Sequence, residues 1–167
     1  MTLRFGNLIL LFTLVGVCDA MSADKTKPVF RRLPTDTIKR MEKQRLLVAS
    51  LVQKHFATEK LTKTRADFAI LQKVVDAKII PRDKALELQF LGIVFGDALA
   101  ATVEGLAWWE VTDEYGTDPT LRYKETTLQI NVLTMISKRI EDGEECDIAH
   151  MAAWVADFIK NRSHEYK

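Results

Sequence analysis

Asp97 is the single carboxylate within the apolar stretch "LGIVFGDAL", residues 91–99. A charge placed there needs a counter-ion, hydrogen bonds or a chemical task. Helical spacing puts Leu86, Phe90, Ile93 or Val94, and Ala101 on its side, which predicts an at least partly buried carboxylate. Arg122, Lys138 and Arg139 are its candidate partners from later in the chain. Paired with one of them, Asp97 is either a binding-site anion of perturbed pKa or half of a structural ion pair. Set beside Glu87 or Glu114 it would instead be half of an acid–base couple, since paired carboxylates need no contiguous motif. Nothing in the spacing brings those acids together, so no catalytic residue is assigned.

A second group follows in "WWEVTDEYG", residues 108–116. Trp108 and Trp109 must point to opposite faces of a strand, one to the core and one outward or toward a neighbouring element. An outward Trp109 beside Glu110, Asp113, Glu114 and Tyr115 would make an aromatic–acidic recognition surface, because aromatic side chains anchor interfaces. The structural alternative is a Trp covered by N-terminal helices, with "TDEYG" as a turn whose Asp and Gly meet its backbone demands.

Cys146 and His150 stand four apart, but two ligands fall short of the four a structural zinc site uses, and no metal or other cofactor is expected. The chain has no G-x-S-x-G, H-E-x-x-H, P-loop or dinucleotide fingerprint.

The elements that must position these residues follow from periodicity. Ile38, Met41, Val48, Leu51 and Val52 predict a helix opened by a Thr35/Asp36 cap. Phe68, Leu71, Val75 and Ile79 predict a second, ended by Pro81. A third, over residues 83–103, is apolar on most sides and is therefore central. Gly92 and Gly96, four apart on it, predict close approach of another element. Gly105 stops it.

The period then falls to two. Residues 106–112 form a strand, 113–119 a turn, and a second short strand follows. Leu128, Ile130 and Val132 alternate as in a half-buried third strand. Leu133, Ile136 and Ile140 mark a fourth helix stopped by Gly143, and Asp147 caps a fifth that buries Ile148, Met151, Val155 and Ile159. The predicted fold is α+β: N-terminal helices, a small three-stranded antiparallel meander, and C-terminal helices packed on it.

With 167 residues, 47% of them hydrophobic, the chain is long enough for one well-formed core. Its net charge of +1 leaves no basic footprint for nucleic acid. At the N-terminus one cation, an apolar run at residues 8–17 and small residues read as a signal peptide over 1–23, cleaved after Ala20 or Ala23. Cys18, preceded by the branched Val17, poses the question of lipidation. With the signal removed Cys146 has no internal disulfide partner. Residues 24–34, with two prolines, read as an exposed linker ahead of a single domain over 35–163. No membrane span is expected after processing.

The runs "LELQFLGIVFGDAL", "WWEVTDEYGTDPTLRY" and "LTMISKRIEDGE" resemble the bacterial domain of unknown function 3806 family, over residues 35–158. The resemblance implies a small α+β domain, often exported, and carries no catalytic residues. The expectation is an exported, periplasmic or secreted, non-enzymatic binding protein with a protein partner, such as an immunity-type inhibitor of a toxin. The alternatives are a cell-envelope hydrolase using an acidic residue, and a small-ligand binder with a cleft between the sheet and the N-terminal helices.

Overall fold

The structure is a computed structural model and describes residues 27–166. The signal peptide expected over 1–23 lies outside them. The order is β1 (Val29–Arg31), α1 (Thr35–His55), α2 (Asp67–Asp76), α3 (Ala85–Thr102), β2 (Leu106–Asp113), β3 (Gly116–Tyr123), β4 (Gln129–Ile130), α4 (Met135–Asp142) and α5 (Ile148–Arg162). A short 3-10 turn at Val132–Thr134 leads into α4.

α3 is the axis of the molecule. Its residues 91–99 are all buried, packed by α1, α2, α4, β2 and the 3-10 turn. By length and composition alone α3 could cross a membrane, but here its apolar perimeter is the core, as a helix without a polar face requires. Gly92 and Gly96 set how closely its neighbours approach. A Cβ on Gly92 would lie 2.6 Å from the carbonyl oxygens of Val132 and Leu133, and one on Gly96 would overlap the edge of the Trp108 ring.

The sheet is fully antiparallel with strand order β1-β2-β3-β4. It has four strands rather than the three expected, because part of the presumed linker is a strand. Phe30 pairs with Val111 and Arg31 with Glu110. Pro34, extended at φ −61° and ψ 152°, then ends the arm and occupies the N-cap of α1 without a side-chain cap, where Thr35/Asp36 had been expected. The turn between β2 and β3 is also tighter than expected. Only Glu114 and Tyr115 lie between the strands; Gly116 takes φ 131°, and the Tyr115 amide donates to Asp113 Oδ1 at 2.9 Å. Thr117, Asp118 and Pro119 belong to β3. Pro119 is tolerated because β4 pairs only with Leu121 and Arg122, leaving β3 an edge at that point.

Candidate functional site

Period-two alternation gives the sheet two chemically different faces. Leu106, Trp108, Glu110 and, across the ladder, Leu121 face the helices; Phe30, Trp109, Thr120 and Arg122 face away.

On the inner face Asp97 is buried, and its partners are not Arg122, Lys138 or Arg139. Arg45 of α1 grips it with both ends of the guanidinium fork: Nη2 donates to Oδ1 at 2.8 Å and Nε donates to Oδ2. The indole Nε1 of Trp108 donates to Oδ1 at 2.9 Å. Burial alone would lower the Arg45 pKa, but the hydrogen bond and charge of Asp97 outweigh it, and the guanidinium is held more firmly protonated than usual. A bidentate pair with a third donor satisfies most of the carboxylate's lone pairs, so Asp97 is a joint between α1, α3 and β2.

Arg45 left a trace in the sequence. It occupies the stripe of Met41, Val48 and Val52 that α1 buries, and a cation on an apolar stripe calls for a buried anion.

A second inner carboxylate, Glu110, was expected on the outward aromatic–acidic surface but is buried on the opposite face. Its side chain is engaged by Arg31 of β1 and by the Thr37 hydroxyl at 3.2 Å. Alternation could have found it, since an inward Trp108 obliges Glu110 to point inward as well. Glu87 is exposed near the start of α3 and Glu114 is at the hairpin tip, so neither stands beside Asp97 as an acid–base partner.

Trp109 lies on the outer face, half-buried beneath cations. The Arg32 guanidinium sits 4.1 Å from its ring centroid, and that of Arg122 4.6 Å from it and 4.3 Å from the Phe30 ring. Arg122 is steadied by donating to the carbonyls of Thr126 and Glu125, each at 2.7 Å. Among the described residues neither Arg32 nor Arg122 is paired with a carboxylate. Of the predicted site residues, the structure therefore brings together Trp109 and Arg122, and adds Phe30 and Arg32 from the arm. Glu114 and Tyr115 stand exposed at the hairpin tip, with Tyr115 88% exposed. Lys138 is exposed on α4, and Arg139 donates to the carbonyl of Met135; both belong to other surfaces.

Cys146 and His150 are also separated. The thiol is buried, and burial pushes its pKa up against the opposing charge of Arg139. The imidazole is exposed, while the His150 amide donates to the helix cap Asp147. A groove of 780 Å³ runs between α2 and α5 over Phe68, Leu99 and Ala152. Its lining includes no residue of the sheet, so it is not the expected cleft between the sheet and the N-terminal helices.

A family described as a domain of unknown function (DUF3806) matches residues 67–151, which covers α2 to the start of α5 and excludes the arm and α1. No curated protein matches the chain. Among solved structures, a crystal structure from Bacteroides thetaiotaomicron VPI-5482 superposes with a TM-score of 0.71 at 21% identity. The superposition covers 81% of this chain and 50% of that one, so the chain spans about half the length of that protein. At that identity the likeness extends to the fold.

Proposed function

The chain belongs to the DUF3806 family, whose description names no activity, and from that premise we propose that it is an exported binding protein that recognises an acidic surface on a protein partner. The observation that carries this reading is the outer face of the sheet. There Trp109 and Phe30 stack with two guanidiniums that no carboxylate of the described residues neutralises. Tryptophan and arginine are the residues that most often dominate binding energy at interfaces, and a pre-organised guanidinium loses little entropy for each hydrogen bond it forms. Of the three buried carboxylates, Asp97 and Glu110 are bound by arginines and Asp67 accepts from Thr62 and the Lys63 amide, so the acidic-residue hydrolase reading gains no support from them. An immunity-type inhibitor of a toxin is the specific form proposed, acting in the periplasm or outside the cell.

The test is capture from a periplasmic extract, followed by calorimetry with the captured protein. Arg32→Glu is expected to weaken binding at least tenfold, because it sets like charges together at the contact. Its thermal melt should be unchanged, because the side chain is exposed. Glu114→Lys reports whether the hairpin tip joins the same contact. Wild-type affinity in both Arg32→Glu and Trp109→Ala would reject the outer face. Mass spectrometry of the mature chain should find a new N-terminus at Met21 or Asp24; a cytosolic chain retaining Met1 would reject export.

A further inference from the structure

α1 buries one stripe, Met41, Val48 and Val52, and the remainder of its surface has an unusual composition. Ile38 is 49% exposed, Leu46 62% and Leu47 52%, and Leu86 at the start of α3 is 61% exposed. These account for most of the large aliphatic side chains left in solvent among the described residues. They do not form a single row. At about 100° per residue, Leu46 and Leu47 lie roughly 80° and 180° around the helix from Ile38. Between and beside them stand Lys39, Arg40, Lys43 and Lys54, all exposed and none in an ion pair among the described residues. Asp36 and Glu42 are the acids on α1, and Glu42 is engaged by Arg45 and Lys63. Beside Leu47 the helix borders an apolar groove of 520 Å³ floored by Leu51, Ile79, Ile80 and Phe90, with Lys84 and Glu87 at its margin.

We infer that this outer face of α1 docks the protein onto an anionic lipid surface. An exposed helix with leucines among lysines and arginines is the composition of helices that lie in the plane of a membrane interface. The arrangement favours lipid over an acidic protein helix. The exposed leucines spread over about half of a convex perimeter. A helix seated in the groove beside Leu47 would leave Ile38 and Leu46 uncovered, whereas a deformable planar phase meets the crest and the groove margin together. Headgroup charge is complementary to Lys39, Arg40, Lys43 and Lys54, and the acyl boundary takes up Leu46, Leu47 and Leu86. This surface shares no residue with the outer face of the sheet, so it stands or falls independently of the partner proposed above.

The experiment is co-sedimentation of the full chain with vesicles of phosphatidylglycerol and phosphatidylcholine, or of phosphatidylcholine alone, at two salt concentrations. The wild type should bind the anionic vesicles, release at high salt and ignore the neutral ones. Arg40→Glu/Lys43→Glu/Lys54→Glu should weaken binding on the order of a hundredfold, since each cation near an anionic surface contributes roughly fivefold. Leu46→Ser/Leu47→Ser, which leaves the charge unchanged, should also release the protein. The substituted side chains are all at least half exposed or solvent-facing, so melts of the variants should match the wild type. The apolar run at residues 8–17 is common to every variant, and a difference between them therefore reports α1. Equal binding by all three proteins overturns the inference. So does absence of wild-type binding, even if the same leucines prove to mediate self-association or capture of an acidic protein helix.

Discussion

Asp97 and Glu110 are both buried carboxylates bound by arginine, yet their removal should have unequal consequences. Arg45 is largely covered, with 14% of its side chain exposed, so Asp97→Ala leaves its guanidinium with only the exposed Glu42 and strands the Trp108 N–H away from water. The cost should be about 3–5 kcal/mol by chemical denaturation, the range for breaking a buried pair from one side. Asp97→Asn keeps an oxygen for Trp108 and one arginine nitrogen and should cost less. Arg31 is 63% exposed and can rehydrate when Glu110 is removed, which leaves mainly the Thr37 hydroxyl to find a new partner. Glu110→Ala should therefore cost about 1–2 kcal/mol, the scale of one lost hydrogen bond with a charged acceptor. Equal costs at the two positions would show that Arg45 also reaches solvent. The carboxylate at 97 was legible as a buried charge from its neighbours on the helix, but its partner was not. Arg45 lies 52 positions away, and sequence spacing does not choose among the cations in reach.

Helices were the most legible elements, because each of their signals is local. Periodicity marks α1, α2 and α5 without knowledge of the rest of the chain, and Gly143 stops α4 in the left-handed conformation at φ 74°. β1 was illegible for the opposite reason. Three residues, Val29, Phe30 and Arg31, carry no usable alternation, and what makes them a strand is the ladder to β2 some eighty positions on. The glycines of α3 test how these elements are spaced. Gly92→Ala would press on backbone oxygens of Val132 and Leu133, which have no rotamer to give way, whereas Gly96→Ala presses chiefly on the Trp108 side chain. Each should cost roughly 1–3 kcal/mol or more as overpacking. Only the second should be relieved by trimming its neighbour. In a double-mutant cycle, Trp108→Leu should couple favourably with Gly96→Ala by more than about 0.5 kcal/mol and add independently to Gly92→Ala. Independent behaviour at both positions would mean that α3 shifts as a body instead of pressing on the indole.

For the molecule as a whole, the family match and the folding unit have different boundaries. The match begins at residue 67, at the start of α2, while the core draws on α1 well before it. Met41, Val48 and Val52 are all but fully buried in the described structure, and Arg45, Arg31 and Thr37 hold the two inner carboxylates. The inner face of the sheet and one side of α3 are therefore completed by residues outside the matched segment. Burying three such side chains stabilises a fold by about 5–9 kcal/mol, an upper figure from area transfer. That is comparable to the entire stability of an ordinary domain, about 5–15 kcal/mol. Adding two carboxylates left without their arginines puts the balance against folding. A fragment beginning at residue 57, which retains every matched position, should accordingly lack a cooperative thermal transition and bind a hydrophobic dye while keeping part of its far-ultraviolet helical signal. Supplying residues 27–56 as a separate peptide should restore the transition in a concentration-dependent way, because binding to the folded form alone stabilises by mass action. A sharp, dye-free melt of the fragment by itself would show instead that α2 to α5 and the sheet form a complete core, with the arm and α1 as an addition to it.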